Sequence, residues 1–88
     1  MTWRMRIIGV AGEDTFPGAV YLEAYDVDAF GGRGHSALTT DPTKALMFAD
    51  PGDVLQAWRE QSTVRPLRPD GKPNRPLTSY TITPERVS

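Results

Sequence analysis

Cysteine is absent from the 88 residues, and histidine occurs once, as His35. The first absence excludes a disulfide framework, a thiolate nucleophile and any cysteine-ligated zinc or iron–sulfur centre. The second leaves no histidine pair for a metal and no histidine relay. Long hydrophobic runs are missing too: nothing approaches the ~18 apolar residues of a membrane span. In the opening stretch MTWRMRIIGV, Arg4 and Arg6 interrupt the apolar residues. It therefore lacks the continuous apolar segment of about 7–15 residues that marks a secretory leader, and the expected compartment is the cytoplasm. Charge of one sign is not in excess either. Lys and Arg number 10 and Asp and Glu 11, a net charge of −1. This excludes a strongly basic nucleic-acid coat and a strongly acidic mimic for the chain as a whole.

The length suits one domain, residues 1–88, with about 5,000 Å² exposed when folded against about 14,000 Å² unfolded. Hydrophobic residues are 39%, and 8 Pro and 8 Gly punctuate the chain. Trp3 to Val10 alternates as a strand, with Trp3, Met5 and Ile7 on one face and Arg4, Arg6 and Ile8 on the other. Ala19 to Val27 reads as a second strand, in which Val20, Leu22 and Ala24 alternate with Tyr21, Glu23 and Tyr25. A short loop joins them, so an antiparallel hairpin is expected. Ser36 to Thr39 suits a short third strand. Asp41-Pro42 and Asp50-Pro51 each put a capping carboxylate before a proline that has no N–H to lose, which predicts two helix starts. The helices are expected over 42–49 and 51–61, with Val54, Leu55 and Trp58 as the apolar stripe of the second. Prolines 66, 69, 73 and 76 make 62–77 a loop, and Leu77 to Thr83 reads as the last strand. The predicted class is α+β: a small antiparallel sheet with two short consecutive helices packed on one face, in the order β-β-(β)-α-α-loop-β.

Candidate chemistry is thin. Glu13 and Asp14 read as a solvated turn pair. Asp26 and Asp28 put two carboxylates at a strand end, but Phe30 and Ala37 stand where a calcium loop needs ligands. Gly31-Gly32-Arg33-Gly34 precedes a strand rather than a helix, so it is not a phosphate-binding loop of the usual kind, although Arg33 is a candidate surface contact. No cofactor or metal is implied. Charge is unevenly divided: residues 1–57 carry 4 basic and 8 acidic side chains, residues 58–88 carry 6 and 3. The basic excess lies in Arg65, Arg68, Lys72 and Arg75, and a polyproline II conformation would put Arg65, Arg68 and Arg75 on one side. The segment is either a return loop paired to the protein's own acidic face, a contact for a partner, or, through Pro66-Leu67-Arg68-Pro69, a ligand for an aromatic groove. With the helices over the Val20/Leu22 face, Tyr21, Tyr25, Arg4 and Arg6 are expected to form an exposed sheet face of interface composition.

The stretch from Leu38 to Ile82 resembles the C-terminal half of small uncharacterised proteins encoded by bacteriophages and prophages. Thr39, Thr40, Asp41-Pro42, Lys44-Ala45 and Phe48 carry the likeness, with Leu55, Trp58-Arg59 and the basic Pro-rich loop after them. The resemblance implies an accessory protein of viral origin acting in the host cytoplasm, of which an anti-CRISPR-like inhibitor is one version, and it carries over no active-site residues. The expected function is therefore non-catalytic binding of a host or phage protein, or of a second copy of the chain, without a membrane. Arg4, Arg6, Tyr21, Tyr25, Arg33, Arg65, Arg68, Lys72 and Arg75 are the candidate contacts. Nucleic-acid binding through the basic loop is the alternative, and a small cation-dependent enzyme using Asp26, Asp28 and His35 is the third reading.

Overall fold

The computed structural model describes residues 2–13 and 15–87. The elements are β1 (Trp3–Val10), β2 (Tyr21–Asp26), α1 (Ala29–Gly32), β3 (His35–Thr39), β4 (Met47–Phe48), α2 (Pro51–Trp58) and β5 (Tyr80–Arg86). Their class is α+β with an antiparallel sheet, as the sequence predicts, but the sheet has five strands where at most four are expected. The alternation in β1 makes it the central strand: Met5, Ile7 and Gly9 are buried, while Arg4, Arg6 and Ile8 are half-buried on the opposite face. β5 runs the length of one edge, from Trp3 opposite Arg86 to Val10 opposite Tyr80. β2 and the two-residue β4 share the other edge, at Arg6 opposite Tyr21 and Trp3 opposite Phe48. β3 lies outside β2.

The register shifts between Ile7 and Gly9 in β1 and between Leu22 and Ala24 in β2. Such bulges strengthen local twist and bend the strand. The sheet curls until its two outer strands approach at one end, where the hydroxyls of Ser36 and Tyr80 lie 2.8 Å apart. The β2 bulge also changes which side chains share a face. Leu22 and Tyr25 both pack with the core, whereas Tyr21 lies beneath the Arg4 guanidinium, 4.3 Å from its ring centre. The expected face carrying both tyrosines is thus corrected: one extra residue at Glu23 sends them to opposite sides.

The core gathers Met5, Ile7, Leu22, Val54, Ala57 and Leu77 between the sheet and α2. Asp50 Oδ1 accepts the Asp53 N–H at 3.0 Å and Pro51 opens the helix, so α2 begins as expected. Val54 and Ala57 face inward; burying an aliphatic side chain such as Val54 contributes about 1.5–3 kcal/mol. Trp58 is half-buried and its indole N–H donates to the Tyr80 carbonyl at 3.1 Å, fastening the helix end to β5. Leu55 does not pack against the core cluster whereas Trp58 does, so the inward stripe is Val54, Ala57 and Trp58.

The helix expected over 42–49 does not form. Asp41 caps as predicted, accepting the Thr43 N–H at 2.9 Å and its hydroxyl at 2.7 Å, but Pro42–Lys44 makes a single 3-10 turn. Ala45 is already extended, the Leu46 N–H donates to the Leu22 carbonyl at 2.8 Å, and Met47–Phe48 joins β1. A free sheet edge satisfies these backbone groups, and so short an isolated helix is marginal in water. The pair of consecutive helices therefore reduces to α2. α1 is a single irregular turn inside the glycine-rich loop.

Candidate functional site

Residues 62–76 fold as a hairpin, not a polyproline II arm. Ser62 N–H donates to the Asn74 carbonyl (2.9 Å), Asn74 N–H to Pro66 (2.9 Å) and Arg68 N–H to Lys72 (2.8 Å), with a bridge between Leu67 and Pro73. The tip is Arg68-Pro69-Asp70-Gly71, where the Gly71 N–H returns to Arg68 at 2.9 Å and Gly71 takes a φ of 82°. Pro-Asp-Gly suits this tip: proline presets the first turn residue and glycine takes the left-handed position after it.

One carboxylate docks the hairpin on the body. Asp28 accepts from Ser62 Oγ (2.9 Å), Thr63 N (2.7 Å), Thr63 Oγ1 (2.9 Å) and Val64 N (3.3 Å). These bonds, the Thr63 hydroxyl's foremost, hold its pKa below the ordinary carboxylate value. Ser62 is 1% exposed and in turn accepts the Arg65 N–H at 3.2 Å. The Asn74 side-chain amide donates to both Gly32 O (2.6 Å) and Arg65 O (2.8 Å), tying the glycine-rich turn to the hairpin. Gly32 has a φ of 94°, and a Cβ there would stand 2.4 Å from the Cβ of Arg65. Only glycine permits so close an approach.

The docking brings Arg33 of the glycine-rich turn against the cationic hairpin. Arg33, Arg65, Arg68, Lys72 and Arg75 are all exposed. Arg68 meets Asp70 at 3.5 Å; the other four have no ion-pair partner among the described residues. Arg33, Arg65 and Arg68, with Gly32, Pro69 and Asn74, line a cleft of about 160 Å³. Three residues before Arg33 stands Phe30, 74% exposed, with a φ of 54° and a ψ of 43°. It is the one non-glycine residue with positive φ among the described residues. Its ring meets the His35 ring edge-on at 6.0 Å. Val64 and Leu67 add exposed apolar surface on the hairpin. Phe30, Ser62, Asn74 and Gly32 were not legible as site residues from pattern alone; an aromatic between Asp28-Ala29 and a glycine pair was the one available signal.

The remaining candidates lie elsewhere. Arg4 and Arg6 both face Glu85 on β5, Arg4 Nε at 2.6 Å and Arg6 Nη1 at 3.4 Å. Tyr21, 6% exposed, is covered by Arg4. Tyr25 is separate from them, at an open groove of about 790 Å³ between β4 and α2 whose charged rim of Asp53, Arg59 and Glu60 is mixed in sign. Burial, then the nearby Glu60 carboxylate, raises the Tyr25 pKa. Asp26 pairs with His35 across β2 and β3 and accepts the Asp28 N–H at 2.9 Å. Asp28 points to the hairpin, so these two carboxylates do not form one site. Among the described residues, no group of three or more His, Cys, Asp or Glu is placed to hold a metal ion. No helix among them is long and apolar enough to cross a membrane. Asp14 lies outside the described residues.

Comparison of the chain with protein-family models, with curated proteins and with solved structures finds no match.

Proposed function

We propose that this chain is a small non-catalytic binding protein whose hairpin end engages an acidic surface of another protein. The observation that supports this reading above the others is Phe30. A bulky residue in left-handed backbone costs about 1–3 kcal/mol, yet the ring is 74% exposed and fills no core position. An exposed aromatic on the same short loop as the exposed Arg33 combines the residue types enriched at interface hot spots. The resemblance to phage and prophage accessory proteins extends the proposal: the site of action is the host cytoplasm and the partner a host or defence protein, with occlusion of that protein as one form of inhibition.

The experiment is a pull-down from bacterial lysate with tagged wild type and with Phe30→Ser and Arg33→Glu. A protein retained in stoichiometric amount by wild type and lost by both variants is the expected result. Equal recovery by all three sinks the assignment of this end. Nucleic-acid binding is the second reading, supported by the exposure of Arg65, Arg68, Lys72 and Arg75 on one hairpin. It requires retained nucleic acid whose affinity falls steeply with salt.

A further inference from the structure

We propose that the cleft between the glycine-rich turn and the hairpin is an oxyanion site that takes a phosphate monoester dianion on the guanidinium groups of Arg33, Arg65 and Arg68. The inference rests on the reading of this end as the binding surface, and adds the chemistry that one part of it recognises. Three observations carry it. The first is charge. Three arginines line one cleft with no carboxylate among its lining residues. The Arg68–Asp70 contact, at 3.5 Å between side chains about half exposed, is the kind of pair that contributes little. A carboxylate is satisfied by a single bidentate arginine, whereas three guanidiniums match the double charge and the several acceptor oxygens of a phosphate monoester.

The second is access. The cleft, about 160 Å³, is half open to solvent, so a phosphate carried on a larger molecule can reach the arginines while the rest of that molecule stays outside.

The third is preorganisation. The cleft walls are two separate chain segments, and each is fixed before any ligand arrives. Asn74 bridges Gly32 and Arg65 with one amide, Asp28 fastens Ser62, Thr63 and Val64, and Gly32 allows the backbones to close to a distance that a side chain would forbid. A site whose frame is already built spends no binding energy on ordering it, beyond the arginine side chains themselves.

The test uses the full chain labelled with nitrogen-15 and titrated with sodium phosphate at constant ionic strength, with sodium chloride as control. Saturable shifts of the Gly32, Arg33, Arg65 and Arg68 resonances are expected with phosphate and not with chloride. Arg33→Gln and Arg65→Gln keep the side-chain stem and the fold, which the same spectra verify. Each should weaken the binding about tenfold, the effect of losing a charge-assisted contact. Shifts that are linear, or equal with chloride, overturn the site. A phosphoserine peptide and an oligonucleotide distinguish the sources. Competition by the phosphopeptide, and not by its unphosphorylated form, supports a protein-borne phosphate; tighter competition by the oligonucleotide overturns the monoester assignment. Lysate capture that survives Arg65→Gln while phosphate binding is lost separates failure of this site from failure of the wider surface.

Discussion

Holding Phe30 in the left-handed region is a local loss that burial does little to offset, because the ring is 74% exposed and meets the His35 ring only edge-on. Asparagine enters that region with much less strain. Phe30→Asn should therefore raise the unfolding free energy by about 0.5–1 kcal/mol in urea titrations while weakening partner capture. A variant that is less stable would show that the ring packs. Opposite behaviour is expected at Trp58, which is half-buried and hydrogen-bonded to β5. Trp58→Ala should cost about 3 kcal/mol in the same assay, the low end of the range for deleting a large aromatic. A change within about 0.5 kcal/mol would make the indole a surface contact instead.

At the scale of elements, the hairpin depends on Asp28. Its carboxyl is held below the ordinary aspartate value. A depressed carboxyl contributes stability that is present above its unfolded value and lost as pH falls through the folded one. Amide exchange protection at Thr63 and Val64 should hold from neutral pH down to about 4 and fall below it, ahead of the core. Asp28→Asn should reproduce that loss at pH 7; protection unchanged in the variant would refute the docking role. This dependence also marks what a sequence can disclose. The strand over Trp3–Val10 and the start of α2 follow from alternation and from Asp50-Pro51, which are local signals; the last strand, expected over Leu77–Thr83, instead runs Tyr80–Arg86, because Pro76–Ser79 forms a 3-10 turn and β1 pairs the chain on past Pro84. The short strand at Met47–Phe48 answers to an unpaired edge supplied by residues some forty positions away, and no local pattern announces it. Likewise, a bulge at Glu23 reverses the side of Tyr25 without altering the alternation that predicts it. The basic residues of the hairpin were legible as charge, but their convergence with Arg33 required Asp28 and Asn74, whose amide and carboxylate look like ordinary turn residues until the two loops meet.

Over the whole molecule, net charge and local charge point in different directions. The chain carries −1 overall, yet Arg33, Arg65 and Arg68 line one cleft and Lys72 and Arg75 are exposed on the same hairpin, within a body 39 Å long. At an ionic strength near 0.1 M the screening length is about 10 Å, so an approaching surface senses the near end rather than the sum. Despite a net negative charge, the protein should be retained on a cation exchanger at pH 7 in low salt. Arg65→Glu with Arg68→Glu should abolish retention. Lys44→Glu with Arg86→Glu changes the net charge by the same amount, but Lys44 lies on the turn before β4 and Arg86 at the far end of β5 from the hairpin; that pair should leave retention largely intact. If both pairs of substitutions act equally, the molecule presents only its total charge, and the hairpin end holds no distinct field with which to steer an acidic partner.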